Sequence, residues 1–233
     1  MRPTVEVPRI VIRYFREALE QTGLEQEWTP VMEALVEQTI FPRLKGLPLD
    51  HLQLPDPDLL AVAMALLRQR PDVAKPLVNL LATAMNVGVA ATAHHGFVEV
   101  LGHLNTDEIR LLQHMKPGHN YPVEAVQLTQ ALEPSRRWNL LYAELVAEAG
   151  LAFAGSLRDY LKILRGLGLV HLDERVYGTL VSEADLSDEA LLQRVTAIIG
   201  TGNAITLVDR QPLSLQLTRF GTMFCAVCLP ANA

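Results

Sequence analysis

Cysteine is scarce in this sequence. Cys225 and Cys228 are the only two among 233 residues. Two cysteines cannot build the disulfide framework on which many secreted domains depend, so we expect a reducing compartment. Hydrophobic residues make up 49% of the chain, which excludes a disordered polar protein and provides enough material for a folded core.

The sequence also lacks an excess of positive charge and a membrane segment. The formal net charge is −6, and residues 1–104 and 105–233 each contribute −3, so neither half is a basic arm. The N-terminus has no apolar run typical of a signal peptide. The most apolar stretch, residues 77–93, is interrupted by two asparagines and a glycine and is shorter than the roughly 20 residues of a spanning helix. We therefore expect a cytoplasmic protein without membrane contacts.

Helical patterns dominate residues 1–104. Thr29-Pro30 is typical of a helix start, because proline at the first turn sacrifices no hydrogen bond. The prolines and glycine of residues 42–57 indicate a connector, and Asp56-Pro57 begins a strongly apolar helix. Asn105 and Glu108 form a capping-box pattern that starts a further helix. The sequence thus predicts a helical region at 1–104.

Residues 105–233 are predicted to fold as a winged-helix-like domain with a small β-hairpin, which makes the whole protein mainly α. The order is a helix from residue 105, an extended segment at 121–128, helices at about 135–149 and 157–167, two strands and a final helix. A generic helical domain with one hairpin is the alternative.

The third helix of this order, residues 157–167, would be the recognition helix. Its apolar positions follow the spacing of one buried helical stripe, namely Leu157, Tyr160, Leu161, Leu164 and Leu167. Gly168 ends the helix. Residues 169–172 are expected to pair antiparallel with residues 213–217, and residues 173–212 between them would be a long insertion in the wing.

Several segments resemble a known bacterial family. The run from Leu80 to Met85 is similar to an apolar "LLANAM" helix, residues 94–101 to "HPxFVEIL", and residues 104–112 to "LSPxDAxLL". Residues 217–224 are similar to a terminal "LTPLGxxF" element, and Gly96 stands where the pattern usually has proline. These patterns resemble the abortive-infection alpha (Abi-alpha) family over about residues 58–115 and 213–228. The resemblance implies a link to phage resistance but supplies no catalytic residues.

Two groups of side chains raise the question of metal or redox chemistry. His95, Glu99 and His103 lie at i, i+4 and i+8, where neighbouring members could share Zn²⁺. One straight helix cannot bring all three to one ion, so we expect packing and capping roles and no metal. Cys225 and Cys228 lack the second pair of a zinc ribbon and lie at the end of a predicted helix, which favours core packing.

Motifs for catalysis are missing. The sequence contains no Gly-rich phosphate loop, no nucleophile elbow and no suggestive pair of carboxylates. Residues 200–203 are interpreted as a turn, because no strand precedes them and no helix follows. We expect neither an enzyme nor a cofactor.

A basic stripe on the predicted recognition helix is the remaining functional feature. Arg158, Lys162 and Arg165 occur at i, i+4 and i+7, and on such a helix they would face a DNA major groove. Arg136 and Arg137, expected at the start of the preceding helix, could contact phosphates. The acidic neighbours Asp159, Asp173 and Glu174 weigh against DNA, and a solvated helix face is the simpler interpretation.

These observations favour a non-enzymatic protein of the Abi-alpha type that acts through protein–protein contacts, and we expect its role to be in phage defence. The alternative is a DNA-binding transcriptional regulator that uses the winged helix. An apolar composition with modest charge also favours association. We therefore predict a homodimer, with the segment around Ile10, Tyr14 and Phe15 as its contact.

Overall fold

The computed structural model describes residues 7–21, 23, 26, 29–44, 46–130, 137–173, 187–199 and 205–230. Its contacts divide the chain into two compact units. One unit contains Met1–Leu104 together with Met223–Ala233, and the other contains Asn105–Thr222. Each unit has its own secondary-structure character.

The first unit is helical in its described residues. Its helices are α1 (Val7–Gln21), α2 (Pro30–Leu44), α3 (Pro57–Gln69), α4 (Ala74–Ala84) and α5 (Gly96–His103). Asp56 caps α3 by accepting hydrogen bonds from the backbone N–H groups of Asp58 and Leu59. This satisfies donors that the first turn of a helix leaves without intrahelical partners.

The core of this unit is built around α4. Nine residues of this helix, Pro76 to Ala84, are buried, so it is enclosed rather than amphipathic. Phe97 packs edge-to-face against Phe224, with ring centroids 5.4 Å apart. Arg43 donates to the backbone carbonyls of Asn79 and Val227, and the Asn79 amide donates to the carbonyl of Cys228. The bonds to Val227 and Cys228 satisfy carbonyls at the end of a helix, which lack intrahelical partners.

The second unit contains a four-stranded antiparallel sheet. Its strands are β1 (Tyr121–Gln130), β2 (Arg137–Tyr142), β3 (Val170–Asp173) and β4 (Ile205–Leu217), in the spatial order β2-β1-β4-β3. Its helices are α6 (Thr106–His114), α7 (Glu144–Ala149), α8 (Leu157–Gly166) and α9 (Asp188–Ile199). The last helix, α10 (Arg219–Cys228), starts in this unit.

The sheet overturns the prediction of a mainly α, winged-helix fold. A winged helix needs only a small hairpin, but β4 is 13 residues long and pairs with β1 on one side and β3 on the other. Residues 205–212, assigned to the wing insertion, therefore belong to the sheet. Residues 174–186 and 200–204 of that insertion, like the turn expected at 200–203, lie outside the described residues.

The helix expected at about 135–149 is also wrong in its first half. Residues 137–142 form β2, and only Glu144–Ala149 is helical. Trp138, Leu140 and Tyr142 alternate along β2 and pack in one apolar cluster, so burial in the sheet outweighs the helical preference of the segment. The pairing of the hairpin itself is confirmed, since Val170–Asp173 lies antiparallel to Ser214–Leu217.

The two faces of the sheet pack against different helices. Val126 and Leu128 of β1 form one core with Leu191 and Val195 of α9. Residues on the opposite parity of β1, such as Ala125, face the side occupied by α8. The sheet therefore has an α9 face and an α8 face. Of the basic residues singled out in the sequence, the described ones, Arg137, Arg158, Lys162 and Arg165, lie on the α8 side.

Candidate binding cleft

The position of α8 depends on a buried stripe and a buried carboxylate. Leu157, Leu161 and Leu164 are buried, as predicted, and so is Tyr160. The Tyr160 hydroxyl donates to Asp107 Oδ2 over 3.0 Å. The same carboxylate accepts the N–H groups of Ala152 and Phe153, at 3.1 and 3.0 Å. Asp107 of α6 therefore holds both α8 and the turn that precedes it.

The electrostatics of this contact favour an ionised Asp107. Burial by itself would raise the pKa of Asp107, but the two backbone N–H donors, the Tyr160 hydroxyl and the nearby Arg110 charge together lower it below its ordinary value. Burial and the bond to Asp107 raise the pKa of Tyr160 to about 12. The pair therefore stays as carboxylate and phenol across the physiological range.

The connection between α8 and β3 is held from the start of α10. Thr218 Oγ1 donates to the carbonyl of Gly168 over 2.6 Å and accepts the N–H of Gly221. A Cβ on Gly221 would lie 1.9 Å from the carbonyl oxygen of Leu169, so only glycine fits there. This close approach explains the glycine of the terminal sequence pattern and fixes one wall of the site described next.

A cleft of about 730 Å³ lies between α8 and the α8 face of the sheet. We call it the α8 cleft. It combines a mainly aliphatic floor with three cations, and its lining comprises Ala125, Leu141, Arg158, Leu161, Lys162, Arg165, Gly166, Leu172, Gln211 and Leu213. Its volume falls in the range typical of ligand sites, about 300–1,000 Å³.

The structure thus brings Arg158, Lys162 and Arg165 to one site. All three side chains are exposed, and none forms an ion pair with another residue in the described part of the chain. Other arginines of this unit behave differently: Arg194 pairs with Glu144, and Arg210 pairs with Glu124 and Asp188. The three cations share the cleft with residues of all four strands.

The other two predicted contacts differ from expectation. Arg136 lies outside the described residues. Arg137 does not start a helix but begins β2, where it lies opposite Thr129. Arg137 has the same parity as Leu141 and therefore lies on the same face of the sheet. The two residues are about 13 Å apart along β2, at about 3.3 Å per residue.

Sequence reasoning identified the cations but not the rest of the cleft. Ala125 lies opposite Leu141 on one side and Gln211 on the other, so three strands contribute to one floor position. These residues are ordinary in the sequence, and only the register of the strands brings them together. Alternation along residues 121–130 was the available signal for a longer strand, but it does not specify the partners.

A second, smaller pocket of about 280 Å³ lies beside the start of β1. It is lined by His114, Lys116, His119, Tyr121, Pro122, Glu144, Leu145 and Glu148. The Tyr121 hydroxyl accepts the N–H of Lys116 and donates to the carbonyl of His114, which ties the loop to the strand. In the chain segments that are described, no group of three His, Cys, Asp or Glu residues is arranged to hold a metal ion.

The residues considered for metal or redox chemistry lie in the helical unit. His95 precedes α5, with Nε2 3.7 Å from Asp56 Oδ2, whereas Glu99 and His103 are exposed on α5. Cys225 and Cys228 are buried, which confirms core packing. Burial raises the pKa of Cys225 to about 12 and that of Cys228 well above its ordinary value, so both remain protonated thiols.

Fold and site together define an α+β protein with a helical unit and a sheet unit, in which a positively charged, aliphatic cleft is the distinctive surface of the described residues. The chain belongs to the abortive infection alpha family, whose pattern matches residues 28–228. This confirms the resemblance found in the sequence. No curated protein and no solved structure matches the chain.

Two further observations bear on the family and the setting. The N–H of Gly96, at the position where the family pattern usually has proline, donates to His94 Nδ1 over 3.0 Å. Proline has no N–H and could not form this bond. Among the described helices, none is sufficiently long and apolar to cross a membrane.

Proposed function

We propose that this protein takes part in phage defence in the bacterial cytoplasm by binding another protein, without catalysis of its own, and that the α8 cleft is the binding site. The observation that carries the proposal is the grouping of Arg158, Lys162 and Arg165 over an aliphatic floor. Family membership supports the link to abortive infection.

The charge arrangement favours binding as the purpose of the cleft. Cations of this unit that serve the fold, such as Arg210, are engaged with carboxylates. Three adjacent cations without such partners among the described residues contribute little to stability but attract an anionic surface and orient it. The aliphatic side chains beneath them provide apolar area, and its burial against a partner stabilises the contact.

The proposal is tested by reversing the charge of the cleft in the full-length protein. A bacterium that carries this protein is challenged with phages, and the variant Arg158→Glu, Lys162→Glu, Arg165→Glu replaces the wild type. We expect the variant to lose both protection, measured as plating efficiency, and the partner captured by crosslinking in infected cells.

A matched control has the same change in net charge elsewhere. Arg13→Glu, Arg68→Glu and Arg219→Glu alter three exposed cations that do not line the cleft. This control should keep protection and crosslinking. If the cleft variant protects as well as the control, the α8 cleft is not the functional site.

Association with a second copy remains a prediction. Phe15 is buried inside the helical unit, at 1% exposure, whereas Ile10 and Tyr14 are half-buried. Phe15 therefore packs inside the fold. Of the three residues predicted to form the dimer contact, Ile10 and Tyr14 remain partly accessible to a second copy. Sedimentation equilibrium at micromolar concentration should give the mass of a dimer, and a monomer mass would contradict the prediction.

A further inference from the structure

We infer that the occupant of the α8 cleft is an acidic segment of a partner protein, with carboxylates aligned along α8 and aliphatic side chains inserted between α8 and the sheet. This inference rests on the proposed function, since it names the chemistry of the partner at the same site.

The spacing of the cations indicates an elongated ligand. Arg158 and Arg165 are seven residues apart on α8, which separates their backbones by about 10 Å at about 1.5 Å per residue, and Lys162 lies between them. A row of charges of this length matches several carboxylates placed along a chain better than one small anion. Arg137 lies on the same α8 face of the sheet, about 13 Å along β2 from Leu141.

The floor of the cleft requires an apolar component. Leu161 contributes from α8, Leu172 from β3 and Leu213 from β4, and Ala125 of the central strand β1 leaves space among them. A purely polar polyanion would have to bury its charges against these aliphatic groups, and no favourable contact would offset the lost hydration. Leucine or isoleucine side chains of a peptide would instead bury apolar area there.

The lining also separates a peptide from nucleic acid. Among the described residues, no aromatic side chain lines the α8 cleft, so this lining offers no platform on which the bases of a single strand would stack. Gln211 at the rim can both donate to and accept from a peptide backbone. The chain as a whole carries a net charge of −6, which opposes association with long polyanions.

The test selects the ligand without assuming its sequence. Full-length protein is used to select binders from a displayed random library of peptides of about twelve residues, long enough to span the roughly 15 Å of α8. We expect sequences enriched in Asp or Glu together with Leu or Ile. Selection on the cleft variant Arg158→Glu, Lys162→Glu, Arg165→Glu should lose this enrichment, and the control Arg13→Glu, Arg68→Glu, Arg219→Glu should retain it.

One selected peptide is then synthesised with a fluorophore and titrated by anisotropy. We expect at least about a tenfold weaker affinity for the cleft variant and a smaller loss for Arg137→Glu, because Arg137 does not line the cleft. Replacing the peptide carboxylates with glutamine should cost a similar factor. The variant Ala125→Leu, which fills the floor and changes no charge, should also weaken binding. Circular dichroism verifies that each variant is folded.

Three outcomes would overturn the inference. The first is a selection that yields no binders or binders without acidic enrichment. The second is equal affinity for the glutamine peptide. The third is tighter, cleft-dependent binding of an oligonucleotide, single-stranded or duplex, than of the acidic peptide. If either of the first two occurs while the cleft variant still loses phage protection, the partner chemistry is wrong and the proposed function stands. The third outcome would also contradict the binding of another protein at the cleft. If the variant keeps protection, the function fails.

Discussion

The two faces of the central sheet are used in different ways. On the α9 face, Val126, Leu128, Leu191 and Val195 are each no more than 2% exposed, and the surrounding side chains close the core. On the α8 face, Val123 and Leu215 are buried, but Ala125 is only half-buried and borders a cleft. One face is completed by its helix, and the other leaves an opening beside its helix.

Charge is distributed in the same unequal way. On the α9 face, Arg210 forms a two-pronged contact with Glu124, at 3.1 and 2.8 Å, and also reaches Asp188 at the start of α9. On the α8 face, the three cations of α8 meet no described carboxylate. The α9 face is therefore organised for stability, whereas the α8 face retains exposed charge and apolar surface.

The largest expected loss of stability follows truncation of the α9 core. Leu191→Ala should lower the free energy of unfolding by about 3 kcal/mol, because Leu191 is 1% exposed and its removal leaves a cavity. Urea denaturation provides the measurement, with the half-buried neighbour Leu192→Ala as a control that should cost less. Equal losses of stability at both positions would show that α9 does not pack against the sheet through Leu191.

Removal of the charged contact on the α9 face should rank next. Arg210→Met leaves the Glu124 carboxylate, 5% exposed, without its principal partner and should cost about 2 kcal/mol in urea. Adding Glu124→Gln should restore part of the loss, since the unpaired charge is then gone. A double variant less stable than the single one would contradict this account.

A smaller effect is expected at Asp107, which holds α8 in place. Asp107→Asn should cost about 1–2 kcal/mol at pH 7, because an amide cannot accept all three hydrogen bonds equally well. Urea denaturation at neutral pH is the measurement. A variant as stable as the wild type would mean that the carboxylate does not secure α8.

Asp107 should also make the free energy of unfolding depend on pH, in a direction set by its pKa shift. The pKa of Asp107 is lower in the folded protein, so its stabilisation is complete above the unfolded value of about 3.9 and is lost as pH falls through the folded value. The difference in stability between wild type and Asp107→Asn should therefore shrink on acidification below about pH 4. A difference that grows in acid would reverse the assigned shift.

The smallest change in stability is expected in the α8 cleft. Arg158→Glu, Lys162→Glu and Arg165→Glu, taken singly, should each change the free energy of unfolding by no more than about 0.5 kcal/mol, since the side chains are exposed. Thermal and urea unfolding provide the measurement. A loss above about 1 kcal/mol for any of them would mean that the α8 face is also structural, which would end the contrast between the faces.

Local patterns in the sequence predicted those features that neighbouring residues decide. The capping box of Asn105 and Glu108 is present as expected, with both reciprocal hydrogen bonds formed. Leu157, Leu161 and Leu164 are buried because a helix places them on one side wherever it packs. The pairing of β3 with the end of β4 followed from the glycine turn and the apolar runs. The winged-helix topology was nevertheless wrong. Arg137–Tyr142 forms a strand because it pairs with β1, and local patterns in the sequence do not show that pairing.

The sequence by itself therefore determined the helices other than the first half of the one expected at about 135–149, the buried stripe of α8 and the row of three cations, since each depends on spacing within a few turns. The cleft was decided only by tertiary structure. Ile205, Leu207, Gln211 and Leu213 all have the same parity along β4, but the register with β1 shifts between Gln127 and Leu128. A shift of one residue exchanges the faces of a strand, so the first two pack toward α9 and the last two line the α8 cleft.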